Sequence, residues 1–130
     1  MRIDLNKTSA QDTLGSGVDT IRNVEIIFGT NFNDTIRGSS RNEQFWSNNG
    51  RDILSGGQGN DGLYAGFNDL DGDTLNGDGG DDYLYGGQGA DILRGGSGDD
   101  RIIGNAGSDQ LSGGTGRDRF DFSSFNSNIA

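Results

Sequence analysis

The chain has 130 residues, 25 of them Gly and none Pro, Cys or His, and its 20 acidic residues outnumber 10 basic ones for a net charge of −10. One domain fits that length, but at 29% hydrophobic the composition reads as disorder unless a cation supplies what the core lacks. It excludes a Ser-His-Asp triad, a thiol nucleophile, an ordinary zinc site and a disulfide framework. It also argues against nucleic acid as a partner and holds no apolar run near the ~18 residues of a membrane span. Met1-Arg2-Ile3-Asp4 does not open a signal peptide. The carboxylates alone leave a glycosidase pair open.

Residues 1–28 bring together Ile3, Leu5, Ile21, Val24, Ile26, Ile27 and Phe28, an apolar cluster expected to cap whatever follows. From Gly29 to Asp121 a nine-residue register takes over, with Gly favoured at positions one, two and four. Copies start at Gly29, Gly38, Ser47, Gly56, Asn68, Gly77, Gly86, Gly95, Gly104 and Gly113, interrupted by Ala65-Gly66-Phe67. Position six is acidic in all ten: Asp34, Glu43, Asp52, Asp61, Asp73, Asp82, Asp91, Asp100, Asp109 and Asp118. Position eight is always apolar: Ile36, Phe45, Leu54, Leu63, Leu75, Leu84, Leu93, Ile102, Leu111 and Phe120. Residues 122–130 form a tail, where Phe122 and Phe125 join Phe120 to close the far end.

Positions one to six, rich in Gly, predict a tight turn. Positions seven to nine predict a three-residue strand with position eight inward. Two repeats then make an 18-residue coil, and stacked coils give two parallel sheets facing each other across a thin core. The acids fall on two edges, Asp34, Asp52, Asp73, Asp91 and Asp109 on the first and Glu43, Asp61, Asp82, Asp100 and Asp118 on the second. Successive carboxylates stand ~4.8 Å apart, the spacing of neighbouring strands, and repel by ~1 kcal/mol in water and several times more near a protein surface. A hard divalent cation in each gap removes that repulsion. Calcium suits it, because it takes six to eight oxygens in flexible geometry, whereas magnesium demands a strict octahedron.

These residues carry a resemblance. The pattern resembles the RTX (repeats-in-toxin, haemolysin-type) calcium-binding nonapeptide over residues 29–121, and Leu14 to Arg22 looks like one further degenerate copy. The resemblance implies an all-β, right-handed parallel β-roll that holds each calcium ion between turns two repeats apart. One turn would give carbonyls at positions two and four with its Asp, the next on that edge carbonyls at positions one and three with its Asp. On this sequence Gly96, Gly98 and Asp100 pair with Gly113, Thr115 and Asp118, and Gly87, Gly89 and Asp91 pair with Gly104, Ala106 and Asp109. Asp78, Gly80 and Asp82 pair with Gly95, Ser97 and Asp100, and Gly57, Gly59 and Asp61 with Gly77, Gly79 and Asp82. Asp69, Asp71 and Asp73 face Gly86, Gln88 and Asp91, crowding carboxylates into one turn. The N-terminal copies, including those of Asp34 and Asp52, depart further, with Phe32 and Arg41 at position four and Glu43 replacing Asp. Five acids on each edge leave four gaps, so eight ions is the ceiling.

The resemblance further implies a non-catalytic module cut from a larger protein, exported by type I secretion machinery and folding on extracellular calcium. The alternative is an accessory module that holds a partner or an acidic polysaccharide, as the repeat modules of mannuronan C5-epimerases hold alginate. Outward positions of the second edge's sheet favour looking there: Trp46, Tyr64 and Tyr85 at position nine, and Tyr83, Arg101 and Arg119 at position seven. An ice-binding array would need an outward Thr row, and position seven offers only Thr35 and Thr74.

Overall fold

The computed structural model describes residues 1–14 and 17–122. No helix forms among them, and the chain winds into a β-solenoid of about five coils with roughly 18 residues per coil. One sheet stacks Arg2–Asp4, Thr35–Arg37, Ile53–Gln58, Thr74–Gly79, Ile92–Ser97 and Gln110–Thr115, all parallel. The other stacks Ile26–Phe28, Gln44–Trp46, Gly62–Tyr64, Tyr83–Gly87, Arg101–Asn105 and Arg119–Phe120, also parallel. Position eight lies opposite position eight throughout, as in Leu75↔Leu93 and Leu63↔Leu84. The resulting core of Ile36, Phe45, Leu54, Leu63, Leu75, Leu84, Leu93 and Ile102 is sealed from solvent.

Several strands run to five or six residues where the periodicity predicts three. After the inward position eight the chain stays extended through positions one to three of the next repeat, and position two there pairs with its neighbour too, as in Gly96↔Gly114. Glycine and Asx residues make this possible. Position two has positive φ in Gly57, Gly87, Gly96 and Gly114, and also in Asn48, Asp78 and Asn105, the side chains that best tolerate a left-handed backbone.

The N-terminal segment differs from expectation. Within the expected degenerate copy, Val18–Asp19 pairs antiparallel with Gln11–Asp12 and joins neither parallel sheet. The strand in register is Ile26–Phe28, with Ile27 opposite Phe45. Only alternate residues can face the core of a strand, so Ile27 is buried while Ile26 and Phe28 are exposed. Ile3 lies opposite Ile36 and, with Leu5, Ile21 and Val24, covers the first coil. At the far end Phe120 and Phe122 stack on each other with centroids 6.4 Å apart yet stay exposed, and Leu111 is only partly buried. Phe125 lies outside the described residues.

The interruption also moves. Ala65 N–H donates to the Tyr85 carbonyl at 3.0 Å, as Ser47 N–H does to Tyr64, so Ala65 takes position one. Gly66 takes position two, its carbonyl facing Gly87, and Asp71 takes position four, its carbonyl facing Gly89. The three extra residues therefore fall among residues 67–70 rather than at 65–67. Both placements satisfy the sequence pattern, because Ala65-Gly66 and Asn68-Asp69 are equally plausible turn openings.

Close stacking makes two adjacent glycines unequal. A β-carbon on Gly80, at φ +119°, would lie 1.8 Å from the Gly59 carbonyl oxygen. One on Gly79 would meet nothing nearer than the movable amide of Gln58 at 3.0 Å. Gly80→Ala is expected to cost at least about 2 kcal/mol, and Gly79→Ala no more than about 1. Thermal melts of the calcium-loaded variants check this, and equal losses would contradict the stacking.

Candidate metal centre

From Asp34 to Asp100, each position-six residue has its backbone spoken for. Its carbonyl accepts the position-seven N–H of the next coil, as Asp82 accepts from Arg101 at 2.8 Å. Its own N–H donates to the carboxylate one coil further on. Along the first edge Asp34 donates to Asp52 Oδ1 at 2.7 Å, Asp52 to Asp73 at 2.7 Å, Asp73 to Asp91 at 2.9 Å and Asp91 to Asp109 at 3.0 Å. Along the second, Glu43 donates to Asp61 at 2.7 Å, Asp61 to Asp82 at 2.8 Å, Asp82 to Asp100 at 2.9 Å and Asp100 to Asp118 at 3.2 Å. One oxygen of each carboxylate from the second coil onward thus looks back toward the preceding coil.

The other oxygen looks forward and finds no donor. Oδ2 of Asp52, Asp61, Asp73, Asp82, Asp91 and Asp100 is buried without a hydrogen-bond partner. In four of these six turns a position-one glycine makes room for it. A β-carbon on Gly77 would lie 2.3 Å from Asp82 Oδ2 and 2.4 Å from the Gly95 carbonyl. On Gly95 it would lie 2.1 Å from Asp100 Oδ2 and 2.6 Å from the Gly113 carbonyl, and Gly86 stands likewise between Asp91 and Gly104. Carboxylate and carbonyl oxygens therefore converge with no hydrogen between them, which is repulsive unless a cation joins them. The donor set, all oxygen and part carbonyl, fits calcium.

Several of the other assigned carbonyls abut the next turn. Those of Asp78, Gly80, Gly89, Gly96 and Gly98 lie against Gly96, Gly98, Gly107, Gly114 and Gly116 of the following turns, while Gly57 and Gly59 lie against the Ser39 and Arg41 carbonyls of the preceding one. Position-three carbonyls are shared: Ser97 accepts from Gly80 N–H at 2.8 Å and Thr115 from Gly98 N–H at 2.9 Å. On the first edge Ala106 N–H donates to the Gly87 carbonyl at 2.9 Å.

The two first acids are different. Asp34 Oδ2 accepts from Thr30 N–H at 2.6 Å and Oδ1 from the Thr30 hydroxyl at 3.0 Å, and the Met1 amine pairs with it as well. Glu43 takes the Ser39 N–H at 3.1 Å and the Ser39 hydroxyl. A hydroxyl residue at position two thus supplies the donors that glycine leaves out. At the last coil Asp109 and Asp118 are half-buried rather than sealed. Asp69, which the repeat register did not assign to this gap, comes beside Asp52 and Asp73.

Burial dominates the acidity of the ladder. It pushes Asp73 up to about 8, Asp82 to about 7, and Asp52, Asp61 and Asp91 to about 6, with neighbouring carboxylates adding to the rise. Asp100 is raised for the same reasons. A carboxyl whose folded pKa exceeds its unfolded value stabilises the fold while protonated. That contribution is complete below the unfolded value of 3.8 and is lost as pH rises through 6 to 8. Dialysed, metal-free protein is therefore expected to hold more β-structure at about pH 4 than at about pH 8, and calcium to bind more tightly as pH rises. Circular dichroism and calcium titration across that range check it, and a flat response would contradict buried, donor-free carboxyls.

The outer face of the second sheet is aromatic. Trp46 stacks on Tyr64 with centroids 3.9 Å apart, Phe28 on Trp46 at 6.5 Å, and Arg101 lies 5.3 Å over Tyr83. Phe67 reaches in between Trp46 and Tyr85, at 6.2 and 5.2 Å. Tyr85 is consequently buried rather than presented. Arg101 and Arg119 both turn to Asp121, at 3.0 and 3.9 Å.

The RTX calcium-binding nonapeptide repeat family matches this chain in four copies, at residues 28–63, 67–102, 85–120 and 94–128. No curated protein matches it.

Proposed function

The chain belongs to the RTX calcium-binding nonapeptide repeat family, and from that premise we propose that it is a calcium-gated folding module of a larger secreted protein, itself non-catalytic. The observation that carries this is the row of six position-six carboxylates, each with one buried oxygen that no protein group satisfies. Each such oxygen opens one gap: Asp52–Asp73, Asp73–Asp91 and Asp91–Asp109 on the first edge, and Asp61–Asp82, Asp82–Asp100 and Asp100–Asp118 on the second. The gaps below Asp34 and Glu43 have Thr30 and Ser39 in the ion's place. Six calcium ions rather than eight therefore fill the roll, changing the formal charge from −10 to −10 + 12 = +2.

Weak sites of this kind stay empty at cytosolic calcium and fill at the millimolar levels outside cells. The chain would cross type I secretion machinery unfolded and fold on arrival. Equilibrium dialysis with calcium tests the reading. Six ions per chain support it, and no binding, or equal binding of magnesium, overturns it.

The aromatic face favours a second reading, an acidic polysaccharide held on the folded roll. Trp46, Tyr64 and Phe67 meet the amides of Asn31, Asn48 and Asn49 around a groove of about 250 Å³, and a sugar ring presents the apolar face and hydroxyls that such a mixture suits. Titration of the calcium form with alginate oligomers decides. Binding lost in Trp46→Ala supports the groove, and unchanged heat leaves an aromatic ladder that only stiffens the sheet.

A further inference from the structure

Where the nine-residue period breaks, the ladder gains a carboxylate. Asp69 lies among the extra residues 67–70 and is only 4% exposed. Its Oδ1 accepts the N–H of Asp71 at 3.0 Å, which fixes the turn. Its Oδ2 is buried and has no partner. Ligand oxygens of Asp52, Asp69 and Asp73 all lie within 4.8 Å of one another, and Asp52 and Asp73 are themselves sealed, each with its own partnerless Oδ2. The nearby Ser47 hydroxyl is engaged elsewhere, donating to the Ala65 carbonyl at 2.9 Å.

A loop insertion normally projects outward, where its polar groups meet water. This one turns an acid inward, and burying a third unpaired carboxylate beside two others has a large cost unless a cation is there. We propose that Asp69 is a metal ligand, so that the gap between the 47–52 and 65–73 turns is a three-carboxylate site with higher affinity than the two-carboxylate gaps around it. The inference rests on the calcium reading above. Ligand charge count is a main lever on calcium affinity, and three negative charges suit a trivalent lanthanide better still. The site also has a structural task. It ties together the two turns whose spacing in sequence is 21 residues rather than 18, the joint where pairing by repeat length alone would slip.

Two measurements test it. In the first, calcium is titrated into the wild type and Asp69→Asn, which keeps the acceptor for Asp71 N–H and removes the charge. The wild type should show one ion bound at least about ten-fold tighter than the rest. Asp69→Asn should lose that tight phase while Asp81→Asn, at an exposed carboxylate outside the gaps, keeps it. Superimposable wild-type and Asp69→Asn curves overturn the proposal, and absence of any calcium binding by the wild type instead overturns the reading beneath it. The second needs no variant, so it holds even if Asp69→Asn does not fold. Substoichiometric gadolinium added to calcium-loaded wild type should broaden the amide signals of Asp52, Asp69 and Asp73 before that of Asp100. Uniform broadening along both edges, or broadening centred on another gap, overturns it.

Discussion

Stripped of calcium by excess chelator at neutral pH, the protein is expected to lose its β circular-dichroism signal and expand from a radius of gyration of roughly 14 Å to about 37 Å, the values of a compact and an unfolded chain of this length. The effect is global because the defect is repeated. Each buried oxygen without a partner costs at least about 1–3 kcal/mol, more when charged, and a whole domain is stable by only about 5–15 kcal/mol. The seven found among the described residues are enough to remove the fold. The core cannot compensate, since it is one side chain wide on each sheet. Returning calcium should restore the signal cooperatively. Magnesium should not, because carbonyl-rich gaps of fixed spacing do not supply its octahedron. A metal-free chain with the spectrum and melt of the calcium form overturns this.

The repeat register was the most legible feature of the sequence. An apolar residue every ninth position, paired with an acid two places earlier, leaves one way to bury the first and stack the second, and Leu54, Leu75 and Leu93 meet accordingly. Less legible was anything decided by a neighbour outside the repeat. Ile26 and Phe28 belong to the same apolar run as Ile27, and only strand alternation turns them outward. Asp69 has no unique place in the pattern, which tolerates two positions for the three extra residues; the Ala65–Tyr85 hydrogen bond and the Gly66–Gly87 contact choose between them. Tyr85 holds an outward position in the repeat, but Phe67 from that same insertion folds over it. One signal was present and readable. Thr30 and Ser39 stand at position two, where later copies carry Gly, Asn or Asp, and a hydroxyl four residues before an acid is a ready local donor.

That local donor separates two otherwise equivalent acids. Asp34 bonds within its own turn, through Thr30, so Asp34→Ala is expected to cost about 1–2 kcal/mol, the scale of a lost capping interaction. Asp100 is placed between coils. Its Oδ1 accepts the buried Asp82 N–H at 2.9 Å. Its Oδ2 stands toward the Gly113 carbonyl across the next gap. Asp100→Ala therefore strands one backbone donor and removes a carboxylate from two of the six proposed ion sites. In a nearest-neighbour stack such a loss uncouples what lies on either side. The expected result is a melt lowered by roughly 10 °C or more, two fewer ions bound, and a calcium titration that splits into two steps as the coil beyond Asp100 folds separately. Asp34→Ala should keep six ions and a single step. Equal losses in the two variants, or the larger loss in Asp34→Ala, would show that the carboxylates act as separate caps and that no ion couples one coil to the next.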